Sequence, residues 1–178
     1  MANNRCQQFI DINQSMSSDL NKYNFINKKD YELLEMINKI KQTIDNYLII
    51  KENSVAFINF KNNLFHLFVD LHFVTAYLYI YNTCNININD INGDNINVFH
   101  ENCAQLFKSK NDKYGDAFAT YGVVGIIVRV GDKISRINKM YETVQEVQDT
   151  SIKTDNESIN DTLIDLSNYC SMAAMLIN

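Results

Sequence analysis

Residues 122–140, GVVGIIVRVGDKISRINKM, decide how this 178-residue chain folds. Val123, Ile126, Ile127, Val130, Ile134 and Ile137 recur there at steps of one, three and four, while Arg129, Asp132, Lys133 and Arg136 fall at i, i+3, i+4 and i+7. At about 100° per residue the charged positions share one face roughly 100° wide, and the apolar positions take the opposite one. A strand would scatter both sets over two faces, so the spacing predicts an amphipathic helix over about 119–142.

The same pattern extends outward. Residues 155–177 carry Leu163, Leu166, Cys170, Ala173, Ala174 and Ile177 on one side, and Glu157, Asp161, Asp165 and Asn168 within about 80° of one another on the other. Thr154 and Glu157 have the spacing of a capping box, in which each side chain satisfies an orphan amide. Upstream, Leu33, Ile37, Ile40, Ile44 and Tyr47 predict a helix over 30–51, and a further helix is expected over 98–110. Residues 54–82 are apolar and aromatic and read as a buried helix, with a strand as the alternative. Residues 83–97, TCNININDINGDNIN, read as a loop, or as a short hairpin because Asn and Ile alternate. Turns are expected near Asn111–Gly115 and Gln148–Thr154. The sum is an all-α bundle of five to six helices. Its N-terminal half, 1–97, would be scaffold, and 98–178 would carry the chemistry.

Composition agrees. The chain is 46% hydrophobic and 21% charged, enough to bury a core. It has no proline and five glycines, which disfavours turn-rich β architectures. The net charge of −5 argues against a nucleic-acid binder but leaves a small nucleotide open. The 26 asparagines and 22 isoleucines indicate AT-rich coding and carry no chemistry. MANNRCQQFIDINQ at the start lacks the apolar core of a signal peptide. Asn59, Lys61, His66, Asp70 and His72 interrupt Val55–Tyr81, so no membrane span is expected. Cys6, Cys84, Cys103 and Cys170 form no C-x-x-C pair, which suggests reduced thiols in a cytoplasmic setting and makes the N-x-[ST] triplets at Asn13, Asn156 and Asn160 accidental.

Two segments match at an offset of 100: Ile37-Asn38-Lys39-Ile40-x-x-Thr43-Ile44 and Ile137-Asn138-Lys139-Met140-x-x-Thr143-Val144. Asp70-Leu71 and Asp165-Leu166 match at an offset of 95. Two related helical hairpins would produce this, and so would compositional bias.

Charge stripes are usually solvated helix faces. Here, however, Asp161 and Asp165 are a like-charged i, i+4 pair beyond the first helical turn, where neither pairing nor the helix dipole favours them. Carboxylates a turn apart suit a hard cation, Mg²⁺ or Mn²⁺, which takes oxygen ligands and leaves positions for water and phosphate. Asp132 and Glu157 would complete the metal set. Arg129, Lys133 and Arg136 would neutralise phosphates. Asp90-x-Asn92-x-Asp94-x(6)-Glu101 has an EF-hand-like spacing but lacks its glycine. His66, Asp70 and His72 do not form a metal motif, and a satisfied buried pair is expected there.

Lys113-Tyr114-Gly115-Asp116-Ala117-Phe118, then Gly122-Val123-Val124-Gly125-x-x-Val128-Arg129-x-x-Asp132-Lys133-x-x-Arg136, then Glu157-Ser158-Ile159-x-Asp161-Thr162-Leu163-x-Asp165-Leu166-x-Asn168-Tyr169, together resemble the nucleotide-modification-associated domain family of the first type. That family is similar to the MazG-like all-α nucleotide pyrophosphohydrolases. The resemblance implies a Mg²⁺-dependent protein that splits a nucleoside triphosphate into monophosphate and pyrophosphate, acting as a homo-oligomer. It implies Asp161, Asp165 and Glu157 as catalytic groups, with Lys113, Tyr114, Asp116, Arg129, Lys133, Arg136 and Asn168 contacting the substrate. The acidic pattern E-E-x-x-E followed by E-x-x-D is not present as written, and a protein that binds the nucleotide without cleaving it is the alternative. Either way, the acidic and cationic ridges should face each other across one cleft.

Overall fold

The isoleucine stripe of residues 126–137 is buried as its spacing requires: Ile126, Ile127, Val130, Ile134 and Ile137 are each at most 1% exposed. A computed structural model describes residues 2–17, 28–46, 49, 55–84, 86–146 and 156–177, and every regular element among them is helical. In order these are α1 (Ala2–Ser17), α2 (Asp30–Asp45), α3 (Val55–Cys84), α4 (Gly93–Tyr114), α5 (Gly122–Glu146) and α6 (Asn156–Ile177), with 3₁₀ turns at Ile88–Asp90 and Gly115–Ala119. The protein is the expected all-α bundle. Tyr47, Thr154 and the turn at 148–154 lie outside the described residues, as does the Glu157 side chain.

Helices α3 and α6 form the centre, packed on each other more extensively than any other pair. Helix α2 covers α3 and α5, α5 covers α6, and α1 with α4 closes the remaining side. The boundary expected at 97/98 falls inside α4, and both halves supply one core. Phe68, Leu71, Phe73 and Leu78 of α3 meet Leu163, Leu166, Cys170 and Ala173 of α6 in that core, all fully buried. Each large side chain so buried contributes roughly 1.5–3 kcal/mol.

Several elements differ from the expectation. Helix α1 was not foreseen. Its stripe of Phe9, Ile12, Asn13 and Met16 is buried, and Phe9 stacks on Phe107 of α4 with ring centroids 4.2 Å apart; three apolar residues among Asn, Gln and Asp gave too weak a signal. The loop 83–97 is shorter than expected, because the Asn92 side chain accepts from the amides of Asp94 and Asn95 while Asn95 accepts from the Asn92 amide, starting α4 at Gly93. No hairpin forms among the described residues. That cap also occupies the EF-hand-like segment and places Glu101 about two turns into a helix. By length and composition alone Asn63–Cys84 could cross a membrane, since beyond Lys61 only Asp70 is charged, but 67% of its most apolar 18-residue window is buried inside the bundle.

The matched segments lie side by side. Asn38 and Asn138 exchange reciprocal amide bonds of 3.1 and 2.9 Å between α2 and α5. Thr43 and Thr143 each donate to the carbonyl four residues back. At the second offset, His72 of α3 meets Ser167 of α6, 2.7 Å from Nδ1 to Oγ. Matched positions of α2 and α5, and of α3 and α6, are thus in contact.

Asn38→Leu should deprive the half-buried Asn138 amide of this partner, and Asn138→Leu should leave Asn38 Oδ1 unpaired while its Nδ2 keeps the Leu34 carbonyl; each should cost about 1–2 kcal/mol, whereas the double variant should recover about 1 kcal/mol of the summed loss. Urea denaturation of the four proteins measures this; additive losses would contradict the pairing.

Candidate functional site

Helix α4 ends because Gly115 takes φ +57° and ψ −147°, a region open essentially to glycine alone, and its amide closes on the Asn111 carbonyl. The chain then makes the 3₁₀ turn Gly115–Ala119 and re-enters helix at Gly122. The turn expected at Asn111–Gly115 is therefore the last turn of a helix, with the reversal after it. This corner bends over α5 and α6 and encloses a cleft of about 360 Å³. Phe107, Tyr114, Phe118, Tyr121 and Tyr169 form its aromatic lining, with Lys110, Asn111 and Arg129 as its polar side chains. Gly125 completes the wall where a Cβ would come within 2.8 Å of the Tyr121 Cβ.

Beside the cleft, Asp165 is shared by two ammonium groups. Lys110 of α4 donates to Oδ1 at 2.6 Å, and Lys133 of α5 donates to Oδ2 at 2.7 Å. The Asp165 side chain is 18% exposed. Burial alone would raise its pKa, but the hydrogen bonds and charges of the two lysines outweigh that and hold it below the usual carboxylate value. The acidic and cationic ridges thus do meet, at this one point.

The other sequence-selected residues spread out. Arg129 pairs with Asp132 along α5 at 3.8 Å, and both are exposed. Asp161, Arg136 and Lys113 are exposed and line no part of the cleft. Asp116 accepts from Arg5 Nε of α1 at 3.1 Å and so pins α1 to the corner instead of facing the cleft. Asn168 is 3% exposed in the core, because α6 is packed by α1, α3, α4 and α5 and has little free face. Among the chosen residues, Tyr114 and Arg129 line the cleft; Lys133 stands behind it through Asp165.

Magnesium needs several converging oxygen ligands. Both Asp165 oxygens already accept from lysines, Asp132 lies against Arg129, and among the described residues no three His, Cys, Asp or Glu side chains come together to hold a metal. The described side chains do not fit the expected metal site.

Asn111, expected in a turn, is 4% exposed within α4. Neither its Nδ2 nor its Oδ1 has a hydrogen-bond partner. A buried polar group left so costs about 1–3 kcal/mol. Sequence offered one signal for it: Phe107, Asn111 and Tyr114 stand at i, i+4 and i+7, which puts the amide on an aromatic face.

A second polar centre is structural. His72 and His100 face each other, Nε2 to Nε2, at 2.8 Å, and Ser171 Oγ, 3.4 Å from His72, donates to Asn13 of α1 at 2.7 Å. This joins α1, α3, α4 and α6. His66, expected to form a satisfied buried pair with Asp70, is exposed; the buried histidine is His72, and its partner is His100. Burial, then the neighbouring His100, lowers the His72 pKa to about 3, and burial lowers that of His100 to about 4. The four cysteines are free, as expected, and burial pushes the Cys103 thiol up to about 12, so it is no nucleophile.

Comparison of the chain with protein-family models, with curated proteins and with solved structures finds no match.

Both histidines are held neutral in the fold while the unfolded chain binds protons near pH 6.5. Their stabilisation is complete above pH 6.5 and is lost on acidification, by about 2 kcal/mol for each histidine at pH 5. The depressed Asp165 acts in a separate window, below its ordinary value of 3.8. Urea midpoints at pH 7.5 and 5.0 measure the histidine effect; equal stability at the two would contradict a buried neutral pair.

Proposed function

We propose that this protein binds a nucleotide in the cleft between α4, α5 and α6, with the base against the aromatic side chains and the phosphates at the cationic rim. The observation that carries the reading is the meeting of aromatic walls with Lys110 and Arg129 at one opening of about 360 Å³. Bases stack on aromatic faces with about 1–3 kcal/mol each. Guanidinium and ammonium groups answer phosphate by charge-assisted bonds. Lys110 spends one of its three N–H donors on Asp165 and keeps two. Arg129, 66% exposed, has a fork of donors and a single long contact to Asp132.

The same geometry favours binding over hydrolysis. A carboxylate between two ammonium groups is already compensated, and a divalent cation approaching Asp165 would meet two like charges first. Asp165 serves this reading as the group that fixes Lys110 and Lys133 in place. The pyrophosphohydrolase implied by the family resemblance is the competing reading, and it predicts a different response to the same substitution.

Calorimetry with a panel of ribo- and deoxyribonucleoside triphosphates tests this. The expected result is saturable binding that weakens with salt, with the ligand recovered intact. Lys110→Gln and Arg129→Gln should each weaken it about tenfold, or 1.4 kcal/mol. Asp165→Asn should loosen Lys110 and Lys133 and weaken binding, with the ligand still recovered intact. Pyrophosphate release that Asp165→Asn abolishes would replace this reading with the hydrolase, and absence of binding for every nucleotide would end both.

A further inference from the structure

We infer that Asn111 reads the edge of a planar nitrogen heterocycle in the aromatic cleft, so that the ligand carries a hydrogen-bond donor and acceptor side by side. The inference deepens the nucleotide reading above and rests on it. Among the described residues Asn111 is the one buried amide whose nitrogen and oxygen both lack a partner, where Asn168 lacks one for its oxygen only, and Asn111 lines the cleft. Other amides of this chain are put to use: Asn38 and Asn138 bond each other, and Asn92 caps α4. At Asn111 the backbone carbonyl accepts the Gly115 amide, and no hydrogen bond of the side chain supports the fold. A leucine of similar size would complete the face between Phe107 and Tyr114, so packing gives no reason for an amide there.

A carboxamide offers N–H and C=O together. The base edges of purines and pyrimidines present the complementary pair, and an Asn amide engages such an edge with two bonds at once. The placement divides the labour within the cleft. Aromatic faces hold any flat ring, the cations at the rim hold any anion, and the Asn111 amide, offering donor and acceptor side by side, distinguishes a hydrogen-bonding ring from a hydrocarbon of the same shape. Sites built around buried polar groups reject ligands that leave those groups unpaired far more strongly than apolar pockets reject a change of size.

The test compares three probes on the whole chain: a nucleoside triphosphate with a natural base, a triphosphate whose base is a non-hydrogen-bonding hydrocarbon of the same shape, and inorganic tripolyphosphate. Wild type should bind the natural base at least tenfold more tightly than the hydrocarbon analogue. Asn111→Leu should erase that gap by weakening the natural ligand, leave tripolyphosphate binding unchanged, and leave the melting temperature the same or higher. The wild-type comparison needs no variant, and the side-chain NH₂ resonance of Asn111 should move on adding the natural nucleotide alone. Equal binding of the two triphosphates by wild type, or an unchanged gap in Asn111→Leu, overturns the role of Asn111 while nucleotide binding stands. Failure of all three probes to bind overturns the nucleotide reading and this inference with it.

Discussion

One carboxylate organises the functional end of this bundle. Asp165 projects from the central helix α6 and takes an ammonium group from α4 on one oxygen and from α5 on the other. The charge is only partly exposed, so leaving it unpaired would be costly, and three helices are held in register around it. The corner between α4 and α5 must then pass over α6, and the cleft is the space under that corner. The same pairing fixes the sign of the site. An acid that is answered twice adds no net negative charge, and the cleft presents cations at its rim in a chain whose overall charge is −5.

The core beneath is built on a related economy. The centre of the bundle is polar where α3 and α6 cross, through His72, His100, Ser167 and Ser171, and every one of these groups has a hydrogen-bonding neighbour. The chain from Asn13 to His100 ties α1 to the helices it covers, which its three apolar anchors alone would do loosely. Such a network is stable only while the imidazoles are neutral, and it gives the helices one register against each other. Contact between matched positions of α2 and α5, and of α3 and α6, adds two further ties across the bundle.

Much of this was legible in sequence. Period 3.6 in 122–140 and 155–177 located α5 and α6 and their buried faces, because isoleucine and leucine at three-four spacing have one physical solution. Less legible were elements whose signal is a single polar atom: Asn92 as a cap inside an Asn-rich run, and α1 with three apolar anchors. The charged stripes put Lys133 and Asp165 on ridges expected to face each other across a cleft, one for phosphate and one for metal; in the fold the two pair directly. Helical phase alone could not tell that Lys110, from a third helix, would take the remaining oxygen, nor that α6 would be enclosed on so many sides that Asn168 turns inward. Charge pairing between helices distant in sequence is a tertiary fact, and it changed a suspected metal ligand into an anchor for two lysines.

Chemical-shift mapping during titration with a nucleoside triphosphate addresses the central claim directly. Binding under the α4–α5 corner predicts saturable changes concentrated in residues 107–129 and around Tyr169 and Met172. Changes centred instead on the groove between α1 and α4, at Asn97 and Glu101, or no saturable change at all, would contradict it.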